Sequence, residues 1–515
     1  MENYNKLVEH YKTIANYNHL SAICGWDAAA MMPSGGNQAR SEAMAQLSLH
    51  IHQLSTAPHL SDLINQAQDE NLSAPEHASL REMKRQWQLS TVVPEDLVKA
   101  KSLAGSKCEH AWRTQRGAND WSGFCNNFEE VVNLSQQEAQ IRGEVAGLTP
   151  YDAMLDIYEP GVNSEQLNSI FGDLTSWLPE LTQQVQDKQK QESVHTSNES
   201  YSTSAQNALG LEVMSLLNFD FEHGRLDISS HPFCGGVPED VRITTRYDEQ
   251  DFVQSLMGIV HETGHARYEQ GLPRQWAGLP AGQARSMGIH ESQSLFFEMQ
   301  LGRSDPFIAN LAPLARQHFK GNDPSVFEAN NLKKIYTRVQ PGYIRVDADE
   351  LTYPAHVILR YEIERDLMNG KISYKDIPEL WDNKMQQYLG LSTKDNYKDG
   401  CMQDIHWTDA QRNQSHNYKN GCMQDIHWCD GSFGYFPSYT LGAMYAAQQM
   451  ATIKKLMNVD EIIQSGDLTP IFDWLDTNIW KKASLFTTDD LMTQATGEAL
   501  NPLHFRKHLE ERYLK

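Results

Sequence analysis

Apolar residues recur at helical spacing from the start of the chain: Tyr4, Leu7, Val8, Tyr11 and Ile14 follow the i, i+3, i+4, i+7 rule and predict an amphipathic opening helix. Helical patterning dominates to about Gln191. The most polar stretch, QDKQKQESVHTSNESYSTSAQN from Gln186 to Asn207, reads either as a linker or as an exposed helix end and turn, and it marks no firm boundary. Between Phe219 and Tyr247 the pattern changes to short extended runs, and alternation at Val241, Ile243 and Thr245 predicts a small antiparallel sheet. Helical spacing returns from Glu249 to Gln270 through Phe252, Leu256, Ile259 and Val260, with Asp248 as expected N-cap and Gly271 and Pro273 as the stop. A further run, ARSMGIHESQSLFFEMQLG, is helical as well, and helices continue to the end. The expected fold is therefore mainly α, with one small sheet beside the helix over 249–270.

That helix carries His261-Glu262-Thr263-Gly264-His265. Two histidines four residues apart share a helix face, so their imidazoles can converge on one cation with Glu262 beside it. Water held by such a cation becomes acidic enough to lose a proton near neutral pH, and Glu262 is placed to take that proton and return it to a leaving amine. The bland alternative is a pair of hydrogen-bonded histidines on a buried face. A third ligand must come from elsewhere, because the position six residues after His265 is Gly271. Glu291, in His290-Glu291-Ser292-Gln293-Ser294 on the next helical run, would complete a two-histidine, one-glutamate site with a position left for water.

HETGH followed by HESQS stands with HPF at His231-Pro232-Phe233, DVRIT at Asp240 to Thr244, IRVDAD at Ile344 to Asp349 and GCMQDIHW near Gly421. Matching segments also include Trp26-Asp27, Met32-Pro33, YDAMLDIYEPG at Tyr151 to Gly161 and TGEALNP at Thr496 to Pro502. Over essentially its whole length the chain resembles the carboxypeptidase Taq family of zinc metallocarboxypeptidases. The resemblance implies a large helical gluzincin-type fold with a long substrate groove. In that reading residues 1–515 form a single domain, 1–210 being a helical part that makes one groove wall and 211–515 the catalytic part. It also implies broad specificity, poor action on terminal proline, a homodimer, and zinc that cobalt can replace with activation.

One departure from the family pattern stands out. NYKDGCMQDIHWTDA (Asn396 to Ala410) recurs as NYKNGCMQDIHWCDG (Asn417 to Gly431), offset by 21 residues and identical at 12 of 15 positions. Only the second copy runs directly into Gly431-Ser432-Phe433-Gly434-Tyr435-Phe436-Pro437, as the single box of the family does. Gln424, Asp425, His427 and Trp428 are therefore expected at the active site, with the first copy as a surface excursion.

A carboxypeptidase must hold a free terminal carboxylate, and arginine does this with two parallel hydrogen bonds. Arg345 in IRVDAD is the first candidate and Arg242 in DVRIT the second. An oxyanion donor is also expected, with His427 and Tyr435 as candidates and His231 and Tyr439 behind them. Asp425 is a further candidate for contact with substrate. Asp349 or another carboxylate is expected behind a zinc histidine.

Composition narrows the partners. Lysine plus arginine number 44 against 67 aspartate plus glutamate, a net charge of -23, which argues against nucleic acid and anionic membranes. MENYNKLVEHYKTIANYNHL has no secretion-signal pattern, and seven cysteines without zinc-finger spacing fit a reducing cytoplasm. The leading expectation is a cytoplasmic enzyme acting on peptides with a free carboxyl end. An oligopeptidase cutting internal bonds shares the same motif, and a metal-stabilised interaction protein without activity is the reading from another class.

Overall fold

Tyr4, Leu7, Tyr11 and Ile14 all turn inward from helix Glu2–Ala30 and meet Leu60, Ile64, Leu80 and Met83 in one buried cluster, with Val8 packed at its margin. Each such side chain contributes roughly 1.5–3 kcal/mol by leaving water, so the opening periodicity becomes packing energy. The computed structural model describes residues 1–229, 232–404, 428 and 431–515. Helices dominate it, as the patterning predicts.

Two compact units share the chain. The first is Met1–Thr91, Ser193–Tyr336 and Gly442–Phe505; the second is Val92–Glu192, Thr337–Leu441 and Arg506–Lys515. The polar stretch near residue 190 contains one of the crossings: helix Ser164–Gln189 ends there, and the next helix begins at Thr203.

The first unit holds a sheet of three strands, β1 (Gly224–Ile228), β2 (Phe233–Val237) and β3 (Asp240–Thr245), in the order β1-β3-β2. β2 and β3 are antiparallel through the turn at Pro238-Glu239, with Cys234 opposite Ile243. The expectation of a wholly antiparallel sheet is corrected by β1, which pairs parallel to β3 with Leu226 opposite Ile243. β3 inserts between β1 and β2, so its two neighbours run in opposite directions. Alternation records which face is buried (Val241 and Ile243 are fully buried) and carries no information about a neighbour's direction.

The second unit is helical. Trp112, Phe124, Phe128, Trp381 and Trp428 are buried in it, and Phe128 stacks on Trp428. Its last segment is tied down by Glu350, which is 1% exposed and accepts from His508 Nε2 at 2.6 Å, Arg512 Nη1 at 3.0 Å and the Tyr513 hydroxyl at 3.0 Å. A carboxylate this buried is stable only because all of its partners are supplied at once.

Candidate metal centre

Helix Phe252–Gly271 begins one turn later than its sequence suggests. Asp251, not Asp248, is the N-cap, accepting from the amides of Val253 and Gln254, while Asp248 pairs with Asp251 through the backbone. Phe252, Leu256, Ile259 and Val260 are buried as predicted. The helix then continues through the motif, with Glu262, Thr263, Gly264, Ala266 and Tyr268 buried too.

Helix Met287–Leu295 crosses it at Gly264. A β-carbon there would stand 2.5 Å from the Gln293 carbonyl oxygen and 2.7 Å from Ser294 Cα, so only glycine admits the crossing. Gly442 performs the same service on the other side of Glu291, whose Cβ and Cγ would each lie 2.7 Å from an added methyl. Glu291 is thereby held against the two histidines: its carboxylate oxygens lie 3.9 Å from His261 Nε2 and 3.4 Å from His265 Nε2. All three donor atoms fall within 4.8 Å of one another.

These separations are those of co-ligands. Metal–donor bonds of about 2.0–2.1 Å in a tetrahedron put neighbouring donors about 3.3 Å apart. The charges agree. Burial alone would lower His261, yet the carboxylates of Glu291 and Glu298 hold it up at about 10, so the surroundings are strongly biased toward positive charge at this point. His265, desolvated and beside His290, is pushed down to about 4. Burial, opposed by His261 and reinforced by the Glu291 charge, raises Glu262 to about 7, suited to taking and giving a proton near neutral pH.

Each histidine is also supported from behind. His261 Nδ1 donates to Glu298 Oε2 at 3.0 Å, and Arg303 pairs with the other oxygen. Although burial would raise Glu298, Arg303 and His261 hold it down at about 2. Glu298 sits in Phe296–Gly302, where the helix widens to π form, a distortion often found at functional sites. His265 Nδ1 faces His290 Nδ1 at 2.6 Å, and His290 Nε2 faces Glu269 Oε1 at 2.8 Å. Glu298, Arg303 and Glu269 carry no expectation from the sequence, and His290 enters there only as the first residue of HESQS. A signal existed for two of them: Glu269 follows His265 by four residues and Glu298 follows Glu291 by seven, so each shares a helix face with a member of the cluster. The carboxylate expected behind a histidine is that of Glu298. Asp349, in the second unit, accepts instead from the amides of Gln340, Leu351 and Thr352 and from the Thr352 hydroxyl.

The remaining candidates lie as follows. Arg345, in the second unit, is 2% exposed, donates to the Tyr353 hydroxyl, and lies 4.6 Å from the ring centre of Tyr439 and 5.5 Å from that of Phe436. Tyr435 is half-buried, edge-on to Tyr158 at 5.0 Å and to Tyr439 at 5.3 Å. Arg242, in the first unit, spends its fork on Asp240 with bonds of 2.8 and 2.7 Å and covers the Trp26 ring at 4.3 Å. His231, Gln424, Asp425 and His427 lie outside the described residues.

The duplicated box is corrected in one respect. Its first copy is not a surface excursion at its leading end: Cys401 and Met402 are buried, and Trp112 donates to the Met402 carbonyl at 2.8 Å. Trp428, from the second copy, is buried in the second unit and donates to the buried Glu364 at 2.6 Å. The packed core thus takes Met402 from one copy and Trp428 from the other, a pattern that linear motif matching has no means of expressing.

Among the described residues, no helix is long and apolar enough to cross a membrane. Comparison with known proteins places the centre in a family. The profile of the carboxypeptidase Taq (M32) metallopeptidases matches residues 6–411 and 413–513, its two pieces meeting between the copies of the box. Thermostable carboxypeptidase 1 of Thermus thermophilus is 34% identical over 526 residues, covering 99% of this chain and 98% of that protein. Carboxypeptidase 1 of Bacillus subtilis is 33% identical over 510 residues, covering 98% and 96%. The solved structure of Trypanosoma cruzi metallocarboxypeptidase 1 superposes with a TM-score of 0.94 at 45% identity, covering 100% of both chains. With a His-His-Glu cluster carried on the two expected helices, the chain belongs to the carboxypeptidase Taq (M32) family of metallopeptidases.

Proposed function

We propose that this metallocarboxypeptidase releases single amino acids from the free carboxyl end of peptides, with broad specificity, using zinc held by His261, His265 and Glu291. The observation that carries the reading is the convergence of those three donors beside a glutamate poised near pKa 7. When bound, the cation supplies Lewis-acid chemistry, lowering the pKa of a water and polarising the scissile carbonyl. Glu262 takes the proton from that water on its carboxylate and passes it to the departing amine nitrogen, so the base of the first step is the acid of the second.

Arg345 is the proposed clamp for the terminal carboxylate; its burial among aromatic rings supports this, since a desolvated guanidinium binds an anion strongly. Arg242 is the weaker candidate because Asp240 already fills its fork. Tyr435 and His427 are proposed as donors to the developing oxyanion, with His231 and Asp425 as further contacts to the peptide. β2 is a sheet edge, which suits an extended substrate. Cobalt is proposed as an activating substitute for zinc, and the working form as a cytoplasmic homodimer built of one metallocarboxypeptidase domain. The net charge of -23 supports peptides rather than nucleic acid or membranes as partners.

The test is one peptide offered with a free and with an amidated carboxyl end. Release of the last residue from the free form alone is expected; equal cleavage of both would favour an oligopeptidase that cuts internal bonds. A zinc-loaded or cobalt-loaded protein inert on a panel of peptides would instead favour an interaction protein.

A further inference from the structure

The two histidines of the cluster are supported by different chemistry, and the difference fixes the position of a hydrogen. His261 leans directly on a carboxylate, that of Glu298. Behind His265 comes a second imidazole, His290, and only then the carboxylate of Glu269. The 2.6 Å contact between His265 Nδ1 and His290 Nδ1 requires that one nitrogen carry a hydrogen and the other a lone pair. The far end decides which. A carboxylate oxygen accepts, so the His290 nitrogen 2.8 Å from Glu269 Oε1, Nε2, is the one that bears the hydrogen. With its hydrogen on Nε2, His290 presents a bare Nδ1 that accepts from His265. With its hydrogen on Nδ1, His265 exposes the Nε2 lone pair on the side of Glu291 Oε2, 3.4 Å away. The reverse polarity would need hydrogens on both nitrogens of His290 and one on the nitrogen that must ligate.

We propose that Glu269 and His290 are positioning residues that act through His265: the relay from carboxylate to imidazole to imidazole selects Nε2 of His265 as the metal-binding atom and fixes the plane of its ring. The geometry supports fixity as well as polarity, since the His290 ring lies 4.6 Å from that of His265 and 5.6 Å from that of Tyr268. The assignment rests on the proposed ligand role of His265, and the experiment separates the two.

Zinc affinity of the purified full chain is measured by competition with a chromophoric chelator, alongside the thermal midpoint of the metal-free protein. In His290→Asn the side-chain oxygen falls near the former Nδ1 and still accepts from His265, so affinity stays within about threefold of the parent. In His290→Leu the acceptor is gone and affinity falls about 10–100-fold, the usual cost of losing a group that orients a metal ligand. Glu269→Met leaves His290 free to adopt the other tautomer and serves if the leucine variant does not fold; a loss of about tenfold is expected. The cobalt-loaded form adds a second readout, because a reoriented His265 shifts the visible absorption of the leucine and methionine variants but not of the asparagine variant. Equal affinity in all three variants, or equal loss in asparagine and leucine, overturns the relay. Undiminished zinc binding in His265→Ala would overturn the ligand role instead.

Discussion

Gly264 and Gln293 approach so closely that a single methyl on the first would lie 2.5 Å from the carbonyl oxygen of the second. Their contact is the point at which helix Phe252–Gly271 and helix Met287–Leu295 cross, and it sets the distance from Glu291 to His261 and His265. Gly264→Ala is expected to force the helices apart, costing about 1–3 kcal/mol as other overpacked interiors do. Because Glu291 rides on the displaced helix, zinc affinity should fall with stability. Urea unfolding and chelator competition on the same preparation test this, and a variant that is less stable but binds zinc normally would separate the crossing from the metal centre.

Glu262→Gln should keep its metal and lose almost all activity. The amide preserves shape but cannot accept a proton, so kcat is expected to drop by several orders of magnitude, beyond the 10²–10⁴-fold contribution typical of a positioned acid or base if both proton transfers are lost. Metal content by elemental analysis and turnover of a free-carboxylate peptide are the two measurements. Near-parental turnover would remove Glu262 from the reaction.

Arg345→Gln should discriminate between peptide ends. A charge-assisted bond is worth about 1.5–3 kcal/mol, so kcat/KM toward a free-carboxylate peptide should fall about ten- to a hundredfold. Arg242→Gln should leave that preference intact, because its guanidinium is committed to Asp240 and Trp26. If the two effects were exchanged, the carboxylate clamp would lie at Arg242.

In the second unit, Glu138 accepts from Lys101 at 2.6 Å and from Arg142 at 2.8 Å. Burial alone would raise its pKa, but the two cations hold it below the ordinary carboxylate value. A carboxyl whose folded pKa is depressed contributes stability that is present above the unfolded value and is lost as the pH falls through the folded one. The parent should therefore lose stability on acidification below about pH 4.5. Glu138→Gln should be less stable at pH 7 by about 3 kcal/mol, the cost of removing the charged partner from a buried ion-pair cluster, and should show a shallower acid slope. Thermal midpoints from pH 3 to pH 7 check the sign.

Removing residues 407–427 would join His406 to Trp428 and leave one uninterrupted GCMQDIHWCDGSFGYFP. Since the core holds Met402 from the first copy and Trp428 from the second, both anchors survive the deletion. The shortened chain should fold and retain peptidase activity, with Asp404 and His406 of the first copy standing at the box positions of Asp425 and His427. Single replacement of His427 and of His406 by alanine in the full chain then assigns the functional copy, the proposal being that only His427→Ala is inactive.

Much of this was readable along the chain because the governing interactions are local. The i, i+3, i+4 spacing of Tyr4, Leu7 and Tyr11 names its own buried face, and the four-residue interval between His261 and His265 puts both imidazoles on one side of a helix wherever that helix lies. The residues supporting those histidines were harder to see. Glu298 stands in heptad spacing with Glu291 but lies on a π-widened turn, and His290 meets His265 at a crossing made possible by Gly264, which periodicity does not name. Asp349 was a reasonable candidate by residue type alone, but its carboxylate is consumed by its own backbone turn.

By itself, then, the sequence determined helices, the small sheet region, the pair of histidines on one helix face and the family, since each depends on residue order over one or two turns or on motifs read in line. Only the tertiary structure decided that β1 runs parallel to β3, that Arg242 is spent on Asp240, that Met402 and Trp428 come from different copies, and that an imidazole backs His265 where a carboxylate backs His261. Those outcomes rest on which surfaces meet when separated segments pack, and the range of a periodic pattern is too short to specify a partner dozens of residues away.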